Sequence, residues 1–160
     1  MLKRSPTYIE PLHDLIMSVR EFDWASNLDQ NLGYYAMTLC KDTRKFVRLV
    51  TIFGMYECFT LSVGVCPASN IFQGKVTNIM RNVNPKPPFC YIDDLLAAMK
   101  QFFKEHLMYL DEIFVVLSEN GIQVNLKKST LFQKELEFVM FWLMQRGYRT
   151  LASRIQGILD

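Results

Sequence analysis

Two adjacent carboxylates, Asp93 and Asp94, stand between two short apolar runs, Phe89 to Ile92 and Leu95 to Ala98. Two residues between strand-like runs make the commonest hairpin loop, and Asn-Gly or Asp-Gly are the pairs that turn easily. Asp-Asp turns less well and repels itself. The pair is therefore either a solvated turn or a place where a divalent cation offsets the charge. A further carboxylate, Asp29, closes the run Phe22 to Leu28 at the expected end of a strand. A side chain there leaves the sheet and can point at a ligand, although an aspartate before a turn is also structurally ordinary.

Several elements must position these groups. Leu12, Leu15, Ile16 and Val19 recur at helical spacing after Pro6 and Pro11, which predicts a short amphipathic helix ending near Arg20. Phe22 to Leu28 reads as a strand, Gln30 to Gly33 as a turn, and Tyr35 to Cys40 as a second strand. Phe46 to Phe53 and Tyr56 to Leu61 form a strand pair around Gly54-Met55, in a sheet that continues from the first. A helix follows from about Pro67 to Val83, with Phe72, Val76, Ile79, Met80 and Val83 on its core face. After the Asp-Asp hairpin a long helix, about Gln101 to Asn120, is marked by Phe103, Leu107, Leu110, Phe114 and Leu117 and stops at Gly121. Ile122 to Asn125 is then a strand, Lys127-Lys128 a basic turn, Leu131 to Leu143 an apolar hairpin, and Leu151 to Leu159 the start of a helix. Helices packed on one face of a mainly antiparallel sheet make an α+β layer structure.

At 160 residues, half of them apolar, the chain can bury one domain's core. Eighteen basic residues against sixteen acidic leave a net charge of +2, so any basic footprint must be local. Three local clusters exist, Lys41 to Arg48, Lys75 to Lys86 and Lys127 to Lys134, each also readable as solvated turns and helix faces. Cys40, Cys58, Cys66 and Cys90 have no Cys-x-x-Cys spacing, and with His13 and His106 they make no zinc set. No signal core follows the N-terminus, and the longest uncharged run, Cys58 to Gly74, is broken by Pro67. The expectation is an intracellular protein, in cytoplasm or nucleus, neither secreted nor membrane-bound.

Tyr91-Ile92-Asp93-Asp94 resembles the Tyr-x-Asp-Asp box of reverse transcriptases, and the rest of the chain fits that family in order. The likeness is to the palm of gypsy-like long-terminal-repeat retrotransposon polymerases, whose box continues into a helix carrying Glu-His-Leu, here Glu105-His106-Leu107. Leu28-Asp29-Gln30-Asn31-Leu32-Gly33-Tyr34 resembles the first polymerase motif. Gly64 with Ala68 to Gln73, ending in Phe72-Gln73, resembles the second, where glycine lets backbone and template approach closely.

The resemblance implies a polymerase palm with partial fingers at the N-terminus. Residues 1–21 would be the fingers or entry remnant, 22–130 the palm, and 131–160 a primer-grip-like hairpin and the start of the connection or thumb. Asp29, Asp93 and Asp94 would be the catalytic carboxylates. Three carboxylates with no histidine or thiolate nearby suit magnesium, two ions, with manganese an alternative. Gly33, Tyr34, Gly64 and Gln73 would bind nucleotide, Tyr34 packing under the sugar, and Lys127 or Lys128 would lie on the pyrophosphate side. The implied partners are deoxynucleotides, primer-template nucleic acid, and the fingers, thumb and ribonuclease H of a polyprotein, expected to be missing here. On that expectation the stretch by itself extends primers poorly.

Departures from the family pattern leave a second reading open. Usual prolines are replaced at Ile52, Ser62, Ser69, Leu126 and Thr150, and a usual hairpin glycine is Met140. Four of those five replacements are one base change from a proline codon, as in a copy drifting without selection. The alternative is therefore the same fold without activity, a relic or a domain that binds nucleic acid or a partner. An unrelated small nucleic-acid-binding module would need stacked aromatics beside basic residues on its central strands, a signature that the sequence does not show.

Overall fold

The computed structural model describes residues 10–19, 21–31, 33–62 and 68–151. Their order is α1 (Leu12–Ser18), β1 (Trp24–Asn31), a 3-10 turn (Gly33–Ala36), α2 (Lys41–Arg44), β2 (Arg48–Thr51), β3 (Gly54–Glu57) and α3 (Ala68–Met80). Then come β4 (Phe89–Tyr91), β5 (Asp94–Met99), α4 (Phe103–Glu119), β6 (Gln123–Val124), β7 (Thr130–Gln133), β8 (Glu135–Phe138), β9 (Phe141–Met144) and β10 (Gly147–Thr150).

The central sheet runs β4-β5-β1-β6, with β7 also on β1, and every pairing is antiparallel. Because successive side chains on a strand point to opposite faces, β5 serves two cores at once. Leu95, Ala97 and Met99 join Leu28 in a core with α3 and α4, while Leu96 and Ala98 join Ala25 in a second core with α1, Leu136, Phe138 and Leu143. The two longer helices thus cover one face. The other face is covered at one end by α1 and the separate β8-β9-β10 sheet.

α4 buries His106, Tyr109, Leu110, Ile113 and Leu117, a stripe at helical spacing. It stops as predicted. Gly121 takes φ +68°, its N–H donates to Ser118, and the Ile122 N–H donates to Leu117, the two bonds of a glycine-closed helix end.

Four sequence expectations are corrected. Asp29 is not at a strand end, since β1 continues to Asn31. No second strand follows it; the chain turns through Gly33–Ala36, which sends Tyr34 and Met37, three apart, into the core, and only a single bridge joins Thr38 to Thr60. β2 and β3 pair with each other about a turn at Ile52-Phe53 rather than Gly54-Met55, and they do not extend the main sheet. Finally, Tyr91 pairs with Asp94, so the hairpin loop is Ile92-Asp93 and Asp94 is already strand. The expectations for residues 1–9, Gly64, Pro67 and 152–160 lie outside the described residues. Among the described residues no helix is long and apolar enough to cross a membrane.

Candidate active site

The hairpin loop needs a positive φ at its first residue, and here that residue is Ile92, at +52°. A β-branched residue is strained there by roughly 1–2 kcal/mol relative to the right-handed region. Buried Gln73 of α3 holds the turn from beneath. Its Nε2 donates to the Cys90 carbonyl at 2.8 Å, and its Oε1 accepts from the Ile92 N–H at 2.5 Å. The side-chain amide of Gln73 is thus engaged by the backbone of the hairpin, with Thr77 Oγ1 at 3.2 Å as a further partner.

Opposite residues in an antiparallel pair share a face, and Asp29 is opposite Asp94. That face is the one turned away from α3 and α4, because Asn27 and Ala25 alternate onto it while Leu28 faces the helices. Asn27 Nδ2 donates to Asp94 Oδ1 at 3.2 Å. Asp93, in the loop, is close enough to be influenced by both other carboxylates. Burial, then the charges of Asp94 and Asp29, push its carboxyl above the usual range. Burial raises Asp94 too, and the charge of Asp29 adds to it against the Asn27 hydrogen bond.

The backbone ties a second segment to the same place. The Asn125 N–H donates to the Asp29 carbonyl at 2.8 Å, and the Asp29 N–H donates to Ser129 Oγ at 3.1 Å. Lys127 and Lys128, both exposed, form the turn between these two contacts. The structure therefore brings Asp29, Asp93, Asp94 and the lysine turn to one end of the sheet.

Tyr34 is in a different setting. Its ring is buried, stacked on Phe72 at 4.7 Å, with its hydroxyl donating to Ser69 Oγ at 3.2 Å. Gly33 opens the 3-10 turn. Asn27, Asn125 and Ser129 were not singled out from the sequence. The period of two along β1 is the signal that would have found Asn27, since it lies two residues before Asp29; the other two need the β1–β6 pairing.

Whether this end of the sheet suits a divalent cation can be judged from its donors. Asp93 Oδ1 is buried without a hydrogen-bond partner among the described residues, and burial, with the charge of neighbouring carboxylates, raises the proton affinity of Asp93 and Asp94, which is the chemistry of an oxygen site lacking its counter-charge. The donor set fits. The carboxylates are not drawn into a closed cluster, however, and among the described residues no group of three or more His, Cys, Asp or Glu is arranged to hold a metal.

The family model for reverse transcriptase (RNA-dependent DNA polymerase) matches residues 3–143. The chain belongs to the reverse transcriptase family. Among similar proteins, the retrovirus-related Pol polyprotein from transposon gypsy of Drosophila melanogaster is 23% identical over 135 residues, 84% of this chain and 13% of that protein. The enzymatic polyprotein of soybean chlorotic mottle virus is 28% identical over 156 residues, 94% of this chain and 22% of that one. The chain thus spans less than a quarter of either relative. Solved structures of a foamy viral protease-reverse transcriptase superpose with TM-scores of 0.89, as a complex with double-stranded DNA, and 0.86, as a complex with an RNA/DNA hybrid. They are 21% and 22% identical to this chain, cover 99% and 98% of it, and extend well beyond it, the match being 28% and 21% of those chains. The reverse transcriptase fold, the α+β palm expected from the sequence, is the fold of this chain.

Proposed function

We propose that residues 22–130 are the palm of an RNA-directed DNA polymerase, with Asp29, Asp93 and Asp94 as the ligands of two magnesium ions, manganese being an alternative. Residues 131–160 would be the primer-grip side and 1–21 the entry from the fingers. The observation that supports this is the Asp29–Asp94 register, which sets carboxylates from two distant motifs on one open face beside Asp93 and its unpartnered oxygen. When bound, the ions would offset charge on the attacking primer 3′-hydroxyl and on the leaving oxygen of a deoxynucleotide.

The chain's own residues contribute position. Asn27 fixes one oxygen of Asp94, and Gln73 holds the loop that carries Asp93 in its strained turn. Lys127 and Lys128 stand on the side from which pyrophosphate would leave. Tyr34 and Phe72 brace the 3-10 turn after Asp29 against α3, and a sugar would meet the turn rather than the open face of that ring. Phosphoryl transfer needs little covalent chemistry from the protein, so this positioning, shared with primer-template nucleic acid and the rest of a longer polypeptide, is its main task.

A second reading, the same fold without activity, draws support from one residue. Gln30 is 4% exposed and neither of its side-chain polar atoms has a hydrogen-bond partner among the described residues, a destabilising feature of the kind that a drifting copy accumulates. Manganese titration followed by electron paramagnetic resonance, with and without deoxynucleotide, separates the readings. The polymerase reading expects nucleotide to tighten manganese binding, and Asp29→Asn or Asp93→Asn to weaken it by about tenfold or more. Binding indifferent to both substitutions would overturn the ligand assignment.

A further inference from the structure

The segment that leaves the 3-10 turn and the segment that follows β3 meet at the base of the lobe formed by α2, β2 and β3. There Thr38 bridges Thr60, the Leu39 N–H donates to the Phe59 carbonyl and the Leu61 N–H donates to the Met37 carbonyl. These bonds fix an antiparallel register, in which each step forward from Thr38 is a step back from Thr60. Two steps on, Cys40 stands opposite Cys58. Successive residues of a strand send their backbone groups to opposite sides, and the Cys58 N–H goes away from residues 38–40, to the Val47 carbonyl at 2.9 Å. Against residues 38–40, Cys58 is therefore a non-hydrogen-bonded position, as Thr60 is.

Opposed residues come closest at such a position. Their α-carbons stand roughly 4.5 Å apart with both side chains on one face, and a disulfide spans about 4.4–6.8 Å between α-carbons. Both thiols are free and within reach of solvent, Cys40 exposed and Cys58 half-buried. Cys40 Sγ lies 2.9 Å from Thr43 Oγ1, and rotation about the Cα–Cβ bond turns it from there toward Cys58. The Thr43 hydroxyl, with the backbone N–H groups of Thr43 and Asp42, holds the Cys40 thiol below its ordinary range and so favours the thiolate, the form that attacks disulfides. Cys90 is the opposite case, since burial pushes its thiol up to about 12.

We propose that Cys40 and Cys58 are a redox clasp, two thiols that close reversibly into a disulfide across the base of the lobe. The co-reactant is a small-molecule disulfide of the glutathione class. The Cys40 thiolate attacks one of its sulfurs, the S–S bond breaks, and one glutathione leaves as a thiolate that takes up the proton Cys40 gave away. Cys58, losing its own proton, then attacks the Cys40 sulfur and expels the second glutathione. Two protein thiols are thereby oxidised to one disulfide while one glutathione disulfide is reduced to two thiols. The bond closes residues 40–58 into a ring that holds α2, β2 and β3, a lobe otherwise separate from the main sheet. It also fixes the strand that runs on from the turn carrying Tyr34. A reducing compartment keeps the clasp open, and an oxidising episode shuts it. None of the carboxylates takes part, so the clasp stands or falls apart from the proposed reaction.

The test places the unaltered chain in glutathione buffers of rising oxidised fraction, blocks the remaining free thiols and reads the peptides by mass spectrometry. Expected is a Cys40–Cys58 link within one chain, lighter by two hydrogens, formed without denaturant and undone by dithiothreitol. In Cys58→Ser the reaction should halt after its first step, leaving a glutathione adduct on Cys40. Hydrogen exchange at the Leu39 and Leu61 amides, which tie the lobe to the body, should slow by about tenfold or more in the linked form, with α4 unchanged. The mapping on the natural chain keeps the test decisive even if the variant misfolds. No link in the natural chain, a link to Cys66 or between two chains, glutathione remaining on Cys40 although Cys58 is present, or unchanged exchange at both amides would each overturn the proposal.

Discussion

Gln30 is the residue whose chemistry and surroundings disagree most. It follows Asp29 directly, so on an alternating strand it faces the helices, where Leu28 also points. Its amide carries two donors and an acceptor into an apolar layer, and among the described residues none of them has a partner. Gln30→Met keeps the length of the side chain and removes the unpaired groups, and should stabilise the protein by about 1–3 kcal/mol, read as a higher denaturant midpoint with an unchanged slope. A lower midpoint would show that the amide has a buried partner, such as a water molecule. None of this was legible in the sequence, where Gln30 stood as the first residue of a turn. Its burial follows from β1 running three residues further than the apolar run that announces it, because β6 supplies Gln30 and Asn31 with partners from far along the chain.

Elements with a strong local pattern were legible and those that depend on distant pairing were not. The extent of α4, its glycine stop and the position of α3 are written in periods of three and four, but the buried face of α4 is rotated from the expected one: Phe103 and Leu107 are exposed, and His106, Tyr109 and Ile113 bury beside Leu110 and Leu117. The strand expected over Tyr35 to Cys40 failed because Tyr34 and Met37 bury at a spacing of three, which a helical turn allows and an alternating strand does not. The Asp hairpin was found, but its loop was set one residue late, since apolar Ile92 gives no sign that it takes the left-handed position. What makes that choice tolerable is Gln73, an element-to-element clamp invisible without the fold. Gln73→Ala removes the partners of a buried carbonyl and of the Ile92 N–H, and should lower stability by about 3 kcal/mol. Backbone exchange at Ile92 and Asp93 should accelerate more than exchange in α4. Uniform acceleration would mean that Gln73 acts only by filling space.

On the scale of the whole molecule, acid stability hangs on a buried histidine. Phe132, at φ +56° in a bulge of β7, donates its N–H to Ser26 Oγ, and that hydroxyl meets His106 Nε2 at 2.9 Å, so one polar node ties β1, β7 and α4 together. His106 is fully buried, and burial pushes its pKa down to about 4. The unfolded chain then takes up a proton that the folded one refuses between about pH 6.5 and pH 4, so stability falls as pH drops through that window. The loss should be about 2 kcal/mol between pH 7.5 and pH 5. It is measured as the difference in pH dependence between the natural chain and His106→Gln. Identical pH profiles for the two would remove His106 from the acid response.

Neither core includes Asp29, Asp93 or Asp94, and burial together with mutual repulsion opposes the ionised form of Asp93. On the proposed reading of these carboxylates, chemistry and foldedness are inherited on separate residues. A copy that exchanged those carboxylates for amides would accumulate in a cell as readily as its parent, so selection acting on protein abundance would preserve the scaffold while leaving the reaction free to disappear.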